Sequence, residues 1–411
     1  MANTFKFGNG EWARKTGQVL AYNSENDNYK PLPFTFDRAS SATRVNKEGL
    51  IETVAIDEPR IDFLNNTKGH LLLEPQRQNL VPYSEDINNS AWNKISATIT
   101  DNVAISPDGT QNADLFVPNS SGGQIYDGLG SKAASAITYT VSMYVKSSGL
   151  NSIRFYLHGA SNANRGDATF DLENVTSSSS NVGAFTNTSA SISSVGNDWF
   201  RCVLTTTSDT SALIQLVIRF DGTTDDISGL NIWGIQTEEG SYATSYIPTS
   251  GSAVTRVDDT FNQYGWQSKG ILGASAGTLF LDLRNCFSKD DTEIVYQFVD
   301  SSENPIFRLY FEQSPECSIF SVYNNINSEF VKQNFTLTSS PKIAIVYDGT
   351  SRLDIFGNGQ KLTKTGGNLT SNASVDGFED ALSDNFNSTS FNEIKLYNTA
   401  LTDAELIALT S

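Results

Sequence analysis

The chain has 411 residues and a formal net charge of −18 at pH 7, with 46 acidic residues against 28 Lys and Arg. Such a surface repels nucleic-acid phosphates and anionic lipid headgroups, so DNA or RNA binding is excluded as a first reading. Two His and three Cys (Cys202, Cys286 and Cys317) without metal-ligand spacing leave little for histidine-based or soft-metal chemistry.

The first residues, "MANTFKFGNGEWARKTG", lack the apolar core of a secretory signal. No apolar run approaches the roughly 18 residues of a membrane helix, so a soluble protein made in a cytoplasm is expected. Residues 1–80 are turn-rich and more evenly charged, ending in "GHLLLEPQRQNL", where Leu71–Leu73 read as a short buried strand. Within this block "RASSATRVNKEGLIETV", Arg38 to Val54, reads as a polar hairpin around the turn Lys47-Glu48-Gly49. Ion pairs are expected for Arg44 with Glu48 and for Arg60 with Asp57 or Asp62.

Residues 81–255 show period-two patterning. "TYTVSMYVK" sets Tyr139, Val141, Met143 and Val145 against Thr138, Thr140, Ser142 and Lys146. "LIQLVIRFDG" sets Ile214, Leu216, Ile218 and Phe220 against Gln215, Arg219 and Asp221. Alternation with Gly, Asn, Asp and Ser between the runs marks antiparallel sandwiches. The Ser/Thr/Asn-rich stretch 175–195 reads as a loop or a weakly patterned edge strand. "SGSAVTRVDDT" is the expected junction to a second sandwich, 256–411, in which "PKIAIVYDG" and "SRLDIFGNG" are strands. Only "LTDAELIAL" reads as helix, with Thr402 as N-cap and Glu405 completing a capping box. The fold class expected is all-β: an N-terminal block, two β-sandwich (jelly-roll) domains and one short C-terminal helix.

Two longer stretches carry a resemblance. "FTFDRASSATRVNKEGLIETVAIDEPRIDF" with "LLLEPQRQNLVPYSEDINNSAWNK", and later "WGIQTEEGSYATSYIPTSGSAVTRVDD", resemble segments of bacteriophage structural proteins of the tail-fibre, head-fibre and virion-adhesin type. Between them "SPDGTQNAD", "YTVSMYVK" and "NDWFRCVLT" follow in that family's order, so the match spans roughly residues 30–260. "SAGTLFLDLRN", "IAIVYDGTSRLDIFGNGQKL" and "FNEIKLYNTALTDAELIAL" resemble a concanavalin-A-like (laminin-G-like) jelly roll. The resemblance implies a virion fibre or appendage protein. Block 1–80 would attach it to other virion proteins or subunits. The carbohydrate-binding-module-like sandwich 81–255 and the concanavalin-A-like sandwich 256–411 would adhere to host or mucus glycans. A homotrimer on the particle surface is expected. A capsid-decoration protein without ligand and a polysaccharide depolymerase are the alternatives.

Candidate residues follow from chemistry. Sugars stack on aromatic rings, and binding groups gather at strand ends and loops. Tyr126, Tyr156 and His158 are the candidates in the first sandwich, and Trp266, Tyr310 and Tyr323 in the second. Trp199 and Trp233 sit among apolar neighbours and read as core. Such sandwiches often carry a structural calcium, and the turn holding Asp221, Asp225 and Asp226 is the candidate ligand set, although no EF-hand spacing appears and a solvated turn explains it as well. No other cofactor is expected. Arg165-Gly166-Asp167 spells the integrin-recognition tripeptide, read here as a turn before the strand "ATFDL". No G-x-S-x-G, H-E-x-x-H or Walker loop is present, and "FNEIKLYN" breaks the E-x-D-x-E pattern of concanavalin-like glycosidases, so no enzyme is expected. A Cys286–Cys317 bridge and buried free thiols are both open.

Overall fold

The structure is a computed structural model that describes residues 2–6, 12–15, 18–23, 28–225, 227–268, 272, 276–284, 293–312, 319–324, 329–334, 342–348, 352–362, 375–380 and 389–411. The chain is almost entirely β and divides into two units, not three successive blocks. One comprises 1–41, 54–76 and 257–411, and the other 42–53 and 77–256.

The first unit corrects the expectation of a separate 1–80 block. It consists of an eight-stranded and a nine-stranded antiparallel sheet. Residues from the N-terminal region supply strands to both. Ala2–Lys6 and His70–Leu73 pair with Thr389–Tyr397 in the smaller sheet. Asn28–Asp37 pairs with Thr260–Tyr264 in the larger. The C-terminal region therefore buries its strand edges against the N-terminal one, satisfying backbone groups that would otherwise lie open. Phe261, Tyr296 and Phe378 of the larger sheet meet Phe391 of the smaller at ring separations of 5.0–6.4 Å. His70–Leu73 is wholly buried, as the run of leucines suggests.

A buried charge network replaces the ion pairs expected for Arg60. Arg60 bonds Glu74 at 2.6 Å and also Asp259, while Arg38 reaches Asp259 at 3.0 Å. The Glu74 amide donates to Asp259 at 2.8 Å. Both guanidinium groups are fully buried, so only this paired, hydrogen-bonded arrangement offsets their desolvation. Burial disfavours the Arg60 charge, but Asp259 and Glu74 more than compensate and raise its pKa.

The C-terminal helix, Asp403–Thr410, forms because Thr402 caps it. The Thr402 side chain accepts from the Glu405 amide and Glu405 reaches back to the Thr402 amide at 2.8 Å. Cys286 and Cys317 lie outside the described residues, and Cys202 is a buried free thiol.

The second unit is a sandwich of two six-stranded antiparallel sheets. The first runs Asn93–Ile95, Gln124–Ser131, Leu213–Arg219, Ser152–His158, Arg165–Asp171, Thr176–Val182. The second runs Ala97–Ile105, Gln111–Pro118, Gly229–Glu239, Thr138–Ser148, Trp199–Thr207, Thr186–Gly196. Their inner faces share one core that includes Ile125, Phe155, Leu157, Leu216 and Ile218 from the first sheet and Tyr139, Val141, Met143, Leu204 and Ile232 from the second. The low-complexity stretch is ordered as the edge strands of both sheets, Thr176–Val182 and Thr186–Gly196. Val254–Arg256 pairs with Arg77–Asn79, so the expected junction segment contributes a strand to this unit.

Candidate functional site

The two outward faces of this sandwich differ. On the second sheet, side chains alternate with the core set, so Tyr144, Trp199, Trp233 and Ala113 point outward. They are nevertheless buried, because Ile51 and Tyr246 pack onto them. Tyr144 lies 5.4 Å from Trp233, which lies 4.6 Å from Tyr246. Ile51 comes from the polar hairpin of residues 42–53. The Ile51 amide donates to Pro107 at 2.9 Å, and Arg44 pairs with Glu52, not Glu48, at 2.5 Å. The hairpin's work is thus to cover one outward face.

The first sheet's outward face is not the one the hairpin covers, and it mixes buried positions, Tyr156, Asp167, His158 and Val217, with partly exposed ones, Gln124, Tyr126, Gln215 and Arg219. Ile153, Phe155 and Leu157 point into the core, which sets Arg154, Tyr156 and His158 outward. In register across the sheet, Asp167, Tyr156, Val217 and Tyr126 form one row. Thr169, Arg154, Arg219 and Gln124 form the next, and Arg165, His158 and Gln215 another.

A chain of alternating charges crosses these rows. Arg165 Nε bonds Asp167 at 2.7 Å, Asp167 accepts Arg154 at 2.7 Å, Arg154 Nη1 bonds Asp221 at 2.8 Å, and Asp221 also accepts from Arg219. Burial acts to raise the Asp221 pKa, but the hydrogen bonds and charges of Arg154 and Arg219 outweigh it and hold the carboxyl below its ordinary range. Arg219 Nη1 also donates to Gln124 at 3.4 Å. Gly122, at φ +86°, permits this position of Arg219, since a Cβ there would lie 2.9 Å from its Nη2.

The expected binding residues fall unevenly on this surface. Tyr126 is half-buried on this face. Tyr156 is on the same face but only 4% exposed, because Arg154 and Arg165 lie over its ring at 5.1 and 5.8 Å. That covering corrects its reading as a stacking platform. Burial also pushes its phenol upward in pKa. His158 is buried beside Tyr156 at 6.0 Å, with Nδ1 2.7 Å from the Gly159 carbonyl. Trp266 belongs to the other unit and is wholly buried against Phe298 and Phe378, so it has no face for a sugar. Tyr310 and Tyr323 lie on Pro305–Glu312 and Ile319–Asn324, with side chains outside the described residues.

Two of the three carboxylates of the acidic turn have partners within the chain. Asp221 is committed to two guanidinium groups, and Asp225 accepts the amides of Ile227 and Ser228 at 3.1 and 2.6 Å and the Ser228 hydroxyl at 2.7 Å. Asp226 lies outside the described residues. A different acidic group, Asp86, Asp101 and Asp114, gathers within 4.8 Å, its buried member Asp114 accepting the Ile87 and Asn102 amides at 2.9 Å.

The integrin-type tripeptide opens the strand Arg165–Asp171 and is not a loop. Gly166 faces inward, where a Cβ would sit 2.2 Å from Thr206 Oγ1, and Asp167 is buried between two arginines. The residues that sequence reasoning missed are Arg154, Arg165 and Arg219 as a set. Their signal was a basic residue at outward positions of apolar strands.

No family model and no curated protein matches this sequence. Among solved structures, the Ruminococcus gnavus IT-sialidase CBM40 bound to alpha2,3 sialyllactose is similar at 14% identity and a TM-score of 0.29, over 35% of this chain and 87% of that one. The leech intramolecular trans-sialidase is similar at 15% and 0.28, over 35% of this chain and 24% of that one. Trypanosoma rangeli sialidase is similar at 10% and 0.28, over 95% of this chain and 81% of that one. Likenesses of this size carry no argument about ligand or activity.

Proposed function

We propose that this protein is a non-enzymatic glycan-binding component of a virion appendage, and that the 77–256 sandwich binds with the outward face of its first sheet. One observation carries the reading: the hairpin of 42–53 helps seal the other outward face with a hydrophobic cluster, while this one keeps Gln124, Tyr126, Gln215 and Arg219 partly exposed. Amides, a phenol and guanidinium groups on a rigid sheet suit the hydroxyl-rich surface of a sugar, with orientation fixed by hydrogen bonds. The virion setting rests on the sequence resemblance described above. Single-site affinity on the order of millimolar would serve when many copies act together.

The absence of catalysis is part of the proposal. Asp221 is held below its ordinary pKa by Arg154 and Arg219, whereas a general acid needs a proton to give at working pH. The second reading, a capsid-decoration protein without ligand, is favoured by the burial of Trp92, Trp199, Trp233, Trp266 and Tyr156, which leaves few rings for stacking. A glycan array with the full-length protein, repeated in EDTA, separates them. Selective binding to one sugar class supports adhesion, and its loss in EDTA adds calcium to the site. No binding at high protein concentration leaves the decoration reading as the better account.

A further inference from the structure

We infer that the glycan bound by this face carries a negative charge, a carboxylate or a sulfate ester, received by Arg165 or Arg219 at the ends of the charge ladder. The inference rests on the glycan-binding reading and adds its substrate class. Three guanidinium groups and two carboxylates, Asp167 and Asp221, make up the ladder, while Asp171, also at an outward position of its strand, accepts from Glu173 and Asn174 instead of an arginine.

The placement is also costly by itself. Arg154 and Arg219 are direct cross-strand partners, and like charges in that position destabilise a sheet. Asp221 bridges them, and Asp167 bridges Arg154 to Arg165. The bridging fixes each planar fork; it engages all three nitrogens of Arg154 and leaves donors unused on its two neighbours. Arg165 spends Nε on Asp167 and Nη1 on the Asn162 carbonyl at 2.6 Å. Arg219 spends Nε on Asp221 and Nη1 on Gln124. The Nη2 groups of both have no acceptor among the described residues, and the side chains are 27% and 35% exposed. Pre-organised guanidinium forks receive carboxylates and sulfates through paired hydrogen bonds, which suits them better than a mobile ammonium would.

Arg165 and Arg219 stand two strands and two outward rows apart, about 16 Å between backbone positions at the usual sheet spacings. One acidic group therefore meets one end of the ladder, with Gln124 and Tyr126 near Arg219 and Gln215 in the row of Arg165 for the hydroxyls of the adjoining sugar. The acid excess elsewhere on the chain repels polyanions at long range, so recognition is local and weakened by salt.

The test is calorimetry of the full-length protein with sialyllactose and a hyaluronan oligosaccharide as carboxylate probes, a chondroitin sulfate oligosaccharide as sulfate probe, and lactose and a neutral chitooligosaccharide as uncharged counterparts. Binding of an acidic probe over its neutral counterpart is expected, and the two acid types show which anion is taken. Arg219→Gln should weaken the acidic probe about tenfold, the scale of one lost charge-assisted pair, with no change in near-UV circular dichroism. Asp221→Asn, which frees both neighbouring arginines, should tighten it. Neutral probes binding as well as acidic ones, or Arg219→Gln leaving acidic binding unchanged, overturns the inference while the glycan reading stands. No binding to any probe overturns both.

Discussion

Asp127 offers a sharp check on the sandwich interior. It sits on Gln124–Ser131 with the parity of Ile125, inside the core, and is 6% exposed. Its Oδ2 has no hydrogen-bond partner among the described residues. Burial pushes its pKa to about 6 from 3.8, offset only by the Gly128 amide. In the window between those values the folded state holds the proton more tightly than the unfolded chain does. The group therefore destabilises the fold as pH rises through about 6, and the penalty fades as pH falls toward 3.8. The shift corresponds to about 3 kcal/mol at pH 7.5, and to about 1 kcal/mol at pH 4.5. Asp127→Asn removes the ionisation but leaves an amide that must find partners, so a net gain of about 1–2 kcal/mol at pH 7.5 is expected. Urea unfolding of the full chain, with hydrogen exchange on peptides from Gln124–Ser131 and Thr138–Ser148, would read it. The variant's advantage should shrink by about 2 kcal/mol between pH 7.5 and 4.5. A difference that does not change with pH would refute the buried ionised carboxylate.

The other predictions concern packing. Ile51→Ala should cost about 2–4 kcal/mol and red-shift tryptophan emission as water reaches Trp199 and Trp233, yet leave glycan affinity unchanged, because the hairpin covers the opposite face. Gly166→Ala should lower the melting temperature by several degrees, since the new methyl collides with Thr206, and no integrin-dependent cell attachment should be seen with the wild-type chain. Arg60→Met should destabilise by about 3–5 kcal/mol in thermal unfolding, because Glu74 and Asp259 lose a shared cation, although Arg38 still reaches Asp259.

Much of the fold could be read locally. The alternation at Tyr139 to Val145 and at Ile214 to Phe220 places those side chains inward as seen, and the Thr402/Glu405 pair marks the helix start within two residues. What could not be read is long-range pairing. Asp37 meets Thr260 across 223 residues, and nothing in either segment names the other. The N-terminal region therefore looked like a module of its own when its strands complete the sheets of the C-terminal one. The ion pairs failed for the same reason. Sequence proximity points Arg60 to Asp57 or Asp62, whereas Glu74, after the 70–73 strand, and Asp259 hold it.

Of the candidate site, Tyr126 lies partly exposed on the outward face, Tyr156, His158 and Trp266 are buried, and Tyr310 and Tyr323 have side chains outside the described residues. Aromatic residues invite a reading as sugar platforms because rings stack on sugars. Yet the chain is only 38% hydrophobic, and 11 percentage points of that are aromatic. Rings bury more area per residue than any aliphatic side chain, so a polar chain with two large sandwiches needs them inside. Four of the five tryptophans, Trp92, Trp199, Trp233 and Trp266, are accordingly at most 2% exposed. With the rings spent on cores, what is left for recognition on the first sheet's outward face is charge and hydrogen bonding. There the outward positions hold arginines where a polar sandwich could equally have used serine or threonine, as the neighbouring strand Thr176–Val182 does. A long cation opposite another cation is a poor choice for stability alone, and the cross-strand pair of Arg154 and Arg219 is the feature on which the proposed ligand rests.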